Sequence, residues 1–173
     1  MQWKSREIAE DFSFTLPQVR RWAVLVLGID PLAAKGKGTI REYSTDEAFK
    51  IYLVGKFITW YRMGLQEAKH HVNNLWPKFV EFNLLPSQNP TLKINSTVQI
   101  YIHPNYNYDF RFLISGETIS KDQFKAESVE SYKTVIFNPQ ELTRYELGPI
   151  WIIGFTFLLE RFFKRVMIRK SRG

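Results

Sequence analysis

The stretch Ser5-Arg-Glu-Ile-Ala-Glu-Asp-Phe-Ser-Phe-Thr-Leu-Pro-Gln-Val-Arg-Arg-Trp22 decides the fold of the N-terminal half, because it contains two short helical patterns with a break between them. The first helix is predicted over residues 5–11, with Ile8 and Ala9 facing inward. The segment Asp11-Phe-Ser-Phe14 breaks this pattern, so a turn is expected before the second helix.

The second helix has clear signals at both of its ends. Thr15 is a good N-cap, because Gln18 lies three residues later and completes a capping box. Pro17 falls in the first turn, where its missing N–H is tolerated. Gly28 is a natural stop. The helix is therefore predicted over residues 16–27.

A glycine- and lysine-bearing segment follows, Lys35-Gly-Lys-Gly38, which indicates a hairpin turn. Ser44 and Glu47 then form a second capping box, and a third helix is predicted from there through Met63, ending at Gly64.

A fourth helix is predicted from residue 65 to about residue 79, because apolar residues recur at spacings of three and four. Pro77 lies late in this pattern, so the helix is expected to end or kink near Trp76.

The segment Leu84-Leu-Pro-Ser-Gln-Asn-Pro90 has the composition of a linker, and after it the apolar period changes from helical to alternating. The alternating apolar residues, typical of a half-buried strand or hairpin, are Leu92, Ile94, Val98, Ile100 and Ile102. Further strands are predicted over residues 110–114 and 133–137, with a turn at 115–117 and a short helix opening at 138.

The region from Gly148 to Ile168 is predicted as a final helix with a very apolar first half. Its uncharged run, residues 147–159, is thirteen residues long, short of the roughly 20 that a spanning helix needs. A buried or dimer-forming helix is the first interpretation. A helix lying on a membrane surface, followed by a basic tail, is the alternative.

Composition indicates a packed protein. The chain has 173 residues, of which 45% are hydrophobic and 16% aromatic, enough for a core. It has no cysteine, which excludes disulfides, thiolate zinc sites and cysteine nucleophiles and fits a reducing cytoplasm. The first twenty residues carry charges throughout, so no signal peptide is expected there.

The net charge of +7 is concentrated at the C-terminus. Residues 1–43 carry seven basic and five acidic side chains, whereas the last 26 residues carry six basic and one acidic. Global charge alone is therefore a weak argument for a nucleic-acid partner.

Four of these segments, in this order, resemble the MerR family of bacterial transcription regulators. That family opens with a winged helix-turn-helix, whose wing ends in Arg-x-Tyr and is followed by two more helices. The matching segments here are Gln18-Val-Arg-Arg-Trp22, Gly28-Ile-Asp-Pro31, Arg41-Glu-Tyr43 and Met63-Gly-Leu-Gln-Glu-Ala68. Arg21 stands where the family carries its first aromatic residue of the second helix.

The resemblance covers about residues 3–80. From Pro86 onward the chain differs from the long coiled-coil helix that joins family dimers. It is more similar to the short strand-bearing tails of compact MerR-like proteins, including antitoxin-like ones. The predicted fold is therefore α+β, with a winged helix-turn-helix and two-helix extension over residues 1–82, a linker over 83–90, and a strand-bearing dimerisation or effector region with a hydrophobic C-terminal helix over 91–173.

The resemblance implies a double-stranded DNA partner and a dimer that binds palindromic operator DNA. The second helix would enter the major groove, while the wing and its exit contact phosphates or the minor groove. The predicted contact residues are Thr15, Gln18, Arg20, Arg21, Lys35, Lys37, Arg41 and Tyr43. Tyr43 is equally placed to be a core residue under the wing, and the lysines to be an ordinary hairpin tip.

Two other functions remain open from the sequence. One is an architectural, excisionase-like DNA-binding protein, and the other is an antitoxin-like autorepressor whose C-terminal half binds a partner protein or a small effector. We expect no enzymatic activity, no cofactor and little membrane contact, and a location in the cytoplasm at the nucleoid. His70 and His71 are adjacent and so face different sides of a helix, and no metal site is predicted.

Overall fold

The computed structural model describes residues 2–28, 41–88, 96–102, 108–114, 117–119 and 151–170. Within these ranges the chain forms five helices and two small antiparallel sheets, so the α+β class is confirmed at that level. The chain divides into two compact units, one of Met1–Pro90 with Phe162–Gly173 and one of Thr91–Arg161.

The first unit begins with a short strand that the sequence did not predict. Strand β1, Gln2–Lys4, pairs antiparallel with β2, Glu42–Ser44, so that Trp3 lies opposite Tyr43. Both central residues are buried. A three-residue strand has almost no local signal, and its partner lies about forty residues away, so this pairing could not be recognised from either segment alone.

Helices α1, Ser5–Phe12, and α2, Leu16–Leu27, lie close to the predicted positions. The buried side chains of α2 recur at helical spacing and form one stripe, composed of Val19, Trp22, Ala23 and Val26. As predicted, Gly28 follows α2 in the left-handed conformation, with a φ of 64°.

Helix α3, Thr45–Trp60, opens at the predicted capping box but ends earlier than predicted. Arg62 adopts a left-handed conformation with a φ of 57°, and Met63 is buried outside the helix. The prediction that α3 continues through Met63 is wrong, because the apolar pattern of residues 61–63 comes from a packed turn. Gly64 is the N-cap of the next helix.

Helix α4, Leu65–Glu81, runs past Pro77 instead of ending near it. Pro77 is exposed, which leaves its side of the helix open to water. The helix ends where Asn83 turns left-handed and the Leu84 N–H donates to the Phe79 carbonyl at 2.8 Å. This is the hydrogen-bond pattern of a Schellman end.

The first half of the predicted linker is packed against the helical unit. Leu84 and Leu85 are 1% and 6% exposed. The Ser87 backbone N–H donates to Oδ1 of Asp46 at 2.9 Å, and its hydroxyl also bonds that carboxylate. The segment with the composition of a linker therefore still belongs to the first unit as far as residue 88.

In the second unit, a four-stranded antiparallel sheet has the order β5-β4-β3-β6. Its strands are β3, Ser96–Ile102, β4, Tyr108–Ile114, β5, Glu117–Ile119, and β6, Trp151–Gly154. The predicted inward face of β3 is confirmed, since Val98, Ile100 and Ile102 are almost fully buried. The strand predicted over 133–137 and the helix opening at 138 lie outside the described residues.

The C-terminal segment predicted as one helix over 148–168 is a strand followed by a helix. Residues 151–154 pair with β3, placing Ile153 opposite Ile100, and α5 then runs over Phe155–Lys170. The single-helix prediction was wrong because a short, fully apolar run has the same appearance in a buried strand as in a buried helix. Among the described helices, none has the length and apolar content to cross a membrane.

Helix α5 is buried along one face, which agrees with the first interpretation of this segment. The Thr156 hydroxyl accepts the Val98 N–H at 2.7 Å, and Val98 is next to Gln99, the β3 residue that pairs with the last residue of β6. Further along, Phe162 stacks on Phe12 with 5.2 Å between ring centroids and meets Phe49 edge-on at 5.0 Å. Phe162 is therefore a core residue of the helical unit, which the predicted boundary at residue 91 did not anticipate.

Candidate nucleic-acid interface

The turn between α1 and α2 has three residues, Ser13, Phe14 and Thr15. Ser13 is left-handed, with φ 59° and ψ 46°, and the Phe14 N–H donates to the Ala9 carbonyl at 2.9 Å. A helix pair joined by a three- or four-residue turn is the local arrangement of a helix-turn-helix. Glycine commonly occupies such a turn, and here serine adopts the left-handed backbone instead.

The N-terminus of α2 is closed by the predicted capping box. The Gln18 N–H donates to Thr15 Oγ1 at 3.4 Å, and the Thr15 N–H donates to Gln18 Oε1 at 2.9 Å. The Thr15 hydroxyl also donates to Gln18 Oε1, at 2.9 Å. The side-chain amide oxygen of Gln18 is thus already hydrogen-bonded within the cap, although the residue is exposed.

This engagement changes the chemistry expected of Gln18. Bidentate recognition of adenine needs both the amide oxygen and the amide nitrogen of a glutamine. In the folded chain the oxygen already accepts two hydrogen bonds from Thr15. Thr15 and Gln18 are therefore brought together at the predicted site, but as a helix cap.

Arg20 and Arg21 are both exposed on α2. From the helical period, Arg21 lies almost directly opposite the buried stripe that contains Val19 and Trp22, and Arg20 lies to one side. The two guanidinium groups are thus carried on the outer surface of a helix whose inner surface is fixed by its core contacts. Guanidinium groups can pair with guanine edges or with phosphate.

Helix α3 has a glycine near its middle, Gly55, at the position where it packs against Phe14 and Trp22. A Cβ placed on Gly55 would lie 2.7 Å from Cζ3 of Trp22 and 2.8 Å from Cε2 of Phe14. The rings of Phe14 and Trp22 meet edge to face at 5.0 Å. The missing side chain of Gly55 therefore lets the start of α2 pack directly on α3.

Lys56, beside Gly55, extends over aromatic rings next to the start of α2. Its ammonium lies 4.5 Å from the Trp60 ring centroid and 4.9 Å from that of Phe14. Cation–π contacts of this kind hold an ammonium in place. The result is a positive charge beside the turn that precedes α2, which the sequence reasoning did not identify.

The two remaining predicted residues that the structure describes lie at the β1–β2 sheet. Arg41 is exposed, and its guanidinium lies 5.4 Å from the Tyr43 ring centroid. Tyr43 is 3% exposed, and its hydroxyl hydrogen-bonds to Ser5 Oγ at 3.2 Å. The structure favours the core alternative for Tyr43, because a residue so buried has little surface to offer a phosphate.

Lys35 and Lys37, with the hairpin predicted around them, lie outside the described residues. His70 and His71 were predicted to face different sides of a helix. His71 is fully buried while His70 is exposed, so the two rings do face different sides of α4. Within the described ranges, no three acidic, histidine or cysteine side chains come together as a metal site would require.

Burial lowers the pKa of His71, and the neighbouring His70 lowers it slightly, while Glu67 opposes both effects. The Glu67 Oε1 atom lies 4.0 Å from Nε2 of His71. The ring is thus held largely neutral in the core of the helical unit, as a packing residue.

No protein-family model, curated protein or solved structure matches this chain. The assignment of a function therefore depends on the residues and geometry described above.

Two features of this surface escaped the sequence reasoning for a physical reason. In the sequence, Gly55 indicates only a position of low helix propensity, because the contact with Phe14 and Trp22 that requires a glycine cannot be seen there. Lys56 reads as an ordinary solvated lysine, although its position beside a glycine in an otherwise apolar stretch is a usable signal of close helix packing.

Proposed function

We propose that this protein is a DNA-binding transcriptional regulator, which binds a palindromic operator as a homodimer through α2. The observation that carries the proposal is the exposure of Arg20 and Arg21 on a capped helix, joined to α1 by a three-residue turn. In a helix-turn-helix the N-terminal part of the second helix lies at the base edges. Arg21 is the sixth of the twelve residues of α2 and so falls in its N-terminal half.

The four segments that resemble MerR regulators are a second support for the proposal. Three of them, at Gln18-Val-Arg-Arg-Trp22, at Arg41-Glu-Tyr43 and at the joint around Gly64, coincide with α2, with β2 and with the start of α4. The winged part of the proposal includes Lys35 and Lys37 and stays a prediction. A regulator of this kind would act at the nucleoid.

Arg21 is assigned the base-reading role, and Arg20 and Arg41 are assigned phosphate contacts. Arg21 lies opposite the buried stripe of α2, so it can reach furthest into a groove. Arg20 is displaced to one side of that helix, where the sugar-phosphate backbone of a bound duplex would pass. Contacts to phosphate position a protein on DNA, and contacts to base edges give specificity.

Selection of bound duplexes from a random library tests this proposal directly. We expect the enriched sequences to contain two inverted half-sites, separated by about one helical turn or a multiple of it. The R21A variant should then lose about 1–3 kcal/mol of binding free energy and relax the sequence preference at one position of each half-site. The R20A variant should weaken binding to every duplex by a similar factor.

The control is K78A, which removes an exposed lysine of α4 whose Nζ lies 3.1 Å from Glu81. It should bind the selected duplex like the parent protein. A library that yields no enriched sequence and no retained duplex contradicts the proposal. Retention of every duplex with equal affinity, together with bending, instead supports an architectural role.

A further inference from the structure

Helix α5 carries a line of cations on its exposed surface. Arg161, Lys164 and Arg165 are all exposed. Residues three and four positions apart on a helix are neighbours on one face, so these three side chains form a single group, which we call the α5 basic stripe. The only acidic residue of the helix is Glu160, four positions before Lys164, so the stripe keeps a net positive charge.

The opposite side of α5 is already used for packing. Phe155, Leu158, Leu159, Phe162 and Val166 are the buried apolar side chains of the helix, with exposures of 0–6%. A helix that binds a bilayer surface inserts its apolar face between the lipids. In α5 that face is occupied within the chain, and the three cations lie on the side that remains exposed.

The exposed aromatic residue next to the stripe does not change this conclusion. Phe157 is 52% exposed, but the guanidinium of Arg161 lies 4.9 Å from its ring centroid. The contact covers part of the ring with a cation. The outer surface of α5 therefore carries the three cations together with two exposed apolar side chains, Phe157 and Met167, which are ten residues apart and form no continuous apolar face.

The second half of the stripe belongs to the same compact unit as α2. Phe162 stacks on Phe12, the last residue of α1, and lies 5.8 Å from the ring of Trp3 in β1. Lys164 and Arg165 follow two and three residues later on the same helix. Lys164 and Arg165 thus belong to the unit that contains α1 and α2, which the buried ring of Phe162 joins.

We propose that the α5 basic stripe is a second contact surface for the phosphate backbone of DNA. This inference rests on the proposed function and adds to it a sequence-independent contact outside the helix-turn-helix. Its support is charge complementarity, because the stripe carries three cations and α5 has a single acidic residue, Glu160. A duplex presents one negative charge per ~1.7 Å of its axis, which suits a row of cations.

Salt dependence measures such contacts. We would compare the full-length protein with K164Q/R165Q and with the matched control K69Q/K78Q, which removes two positive charges from α4. Affinity for a selected duplex and for a scrambled duplex of equal length would be measured between ~50 and 200 mM salt. Each lost phosphate contact lowers the slope of log affinity against log salt by about 0.9.

We expect K164Q/R165Q to lower the slope by about two and to weaken binding by the same factor on both duplexes. Adding R161Q should lower the slope by about one more. The control should keep the parent slope. Far-UV circular dichroism of each variant, with a thermal melt, checks that the exposed substitutions leave the fold intact.

Three results would overturn the inference, and the first of them leaves the proposed function standing. If the parent binds a selected duplex and K164Q/R165Q has an unchanged slope, the stripe is no DNA contact, while the helix-turn-helix assignment stands. If the parent binds no duplex, both proposals fail. If vesicles containing anionic lipid, and not DNA, retain the parent and release K164Q/R165Q, the stripe binds a membrane surface.

Discussion

Replacing Gly55 with alanine tests how α2 is positioned. The change adds one methyl group to the middle of α3, where two effects oppose each other. Alanine favours a helix over glycine by about 1 kcal/mol, so at an open helical position G→A stabilises a protein. At Gly55 the added Cβ instead meets Trp22 Cζ3 at 2.7 Å and Phe14 Cε2 at 2.8 Å.

The crowding term decides the sign of the change. Carbon atoms in contact normally lie about 3.5–4.0 Å apart, so the rings or the helices must move by about 1 Å. Overpacking of a well-packed core costs about 1–3 kcal/mol, and Trp22 is only 3% exposed, which leaves it little room to rotate. We therefore expect G55A to lose up to about 2 kcal/mol of unfolding free energy once the gain of about 1 kcal/mol in helix propensity is subtracted.

A double-mutant cycle with F14A separates the two effects. Phe14 is half-buried and contacts Trp22 edge to face, so its removal opens space into which the indole can shift. In the F14A background, G55A should be less costly by about 1 kcal/mol, a coupling energy typical of residues in contact. Urea unfolding followed by circular dichroism at 222 nm gives each free energy, and the m value shows whether the unfolded reference has changed.

Two outcomes would refute this reasoning. A G55A variant more stable than the parent would show that helix propensity, and not ring contact, controls the position. An equal cost of G55A with and without Phe14 would show that the close approach to the phenyl ring has no energetic consequence.

Three further changes test the same unit. T15A should cost about 1 kcal/mol of stability by removing the α2 cap, T15S should retain it, and urea unfolding distinguishes them. F162A should cost about 3–5 kcal/mol because the ring is fully buried, whereas M167A, at a position 64% exposed, should change stability by less than about 0.5 kcal/mol. Because burial lowers the pKa of His71 below its usual 6.5, the unfolded chain binds one more proton between 6.5 and the lower folded value. The unfolding free energy should therefore fall as pH falls below 6.5. H71Q should remove this dependence and H70Q should keep it.

Local sequence signals predicted most of the helices in the N-terminal half of the chain. The two capping boxes, at Thr15 and Ser44, marked the starts of α2 and α3 because a cap involves residues only three positions apart. The features that sequence reasoning missed depend on distant partners. The β1–β2 pair, the strand at Trp151–Gly154 and the insertion of Phe162 are each defined by what they contact.

The exposed face of the candidate interface was also accessible from the sequence. The sequence predicted Arg20 and Arg21 as contact residues, and both are exposed on α2, whereas Trp22 is buried. The packing behind that face was not accessible, because the role of Gly55 appears only when α2 and α3 are placed side by side.

The role of Gln18 can be decided by comparing magnitudes. To read adenine with both amide atoms, Gln18 must release the two hydrogen bonds that its Oε1 accepts from Thr15, which opens one side of the capping box while Thr15 Oγ1 keeps the Gln18 N–H. An N-cap is worth about 1 kcal/mol, and a bidentate contact discriminates between bases by about 1–3 kcal/mol. The cost of opening the cap offsets the lower end of that range and leaves at most about 2 kcal/mol for the contact of Gln18 with a base. Arg21 has no such competing role in the cap, so its contact with a base would keep its full value. In the proposed complex, base recognition would therefore be carried by Arg21, about one turn further along α2 than the cap residues Thr15 and Gln18.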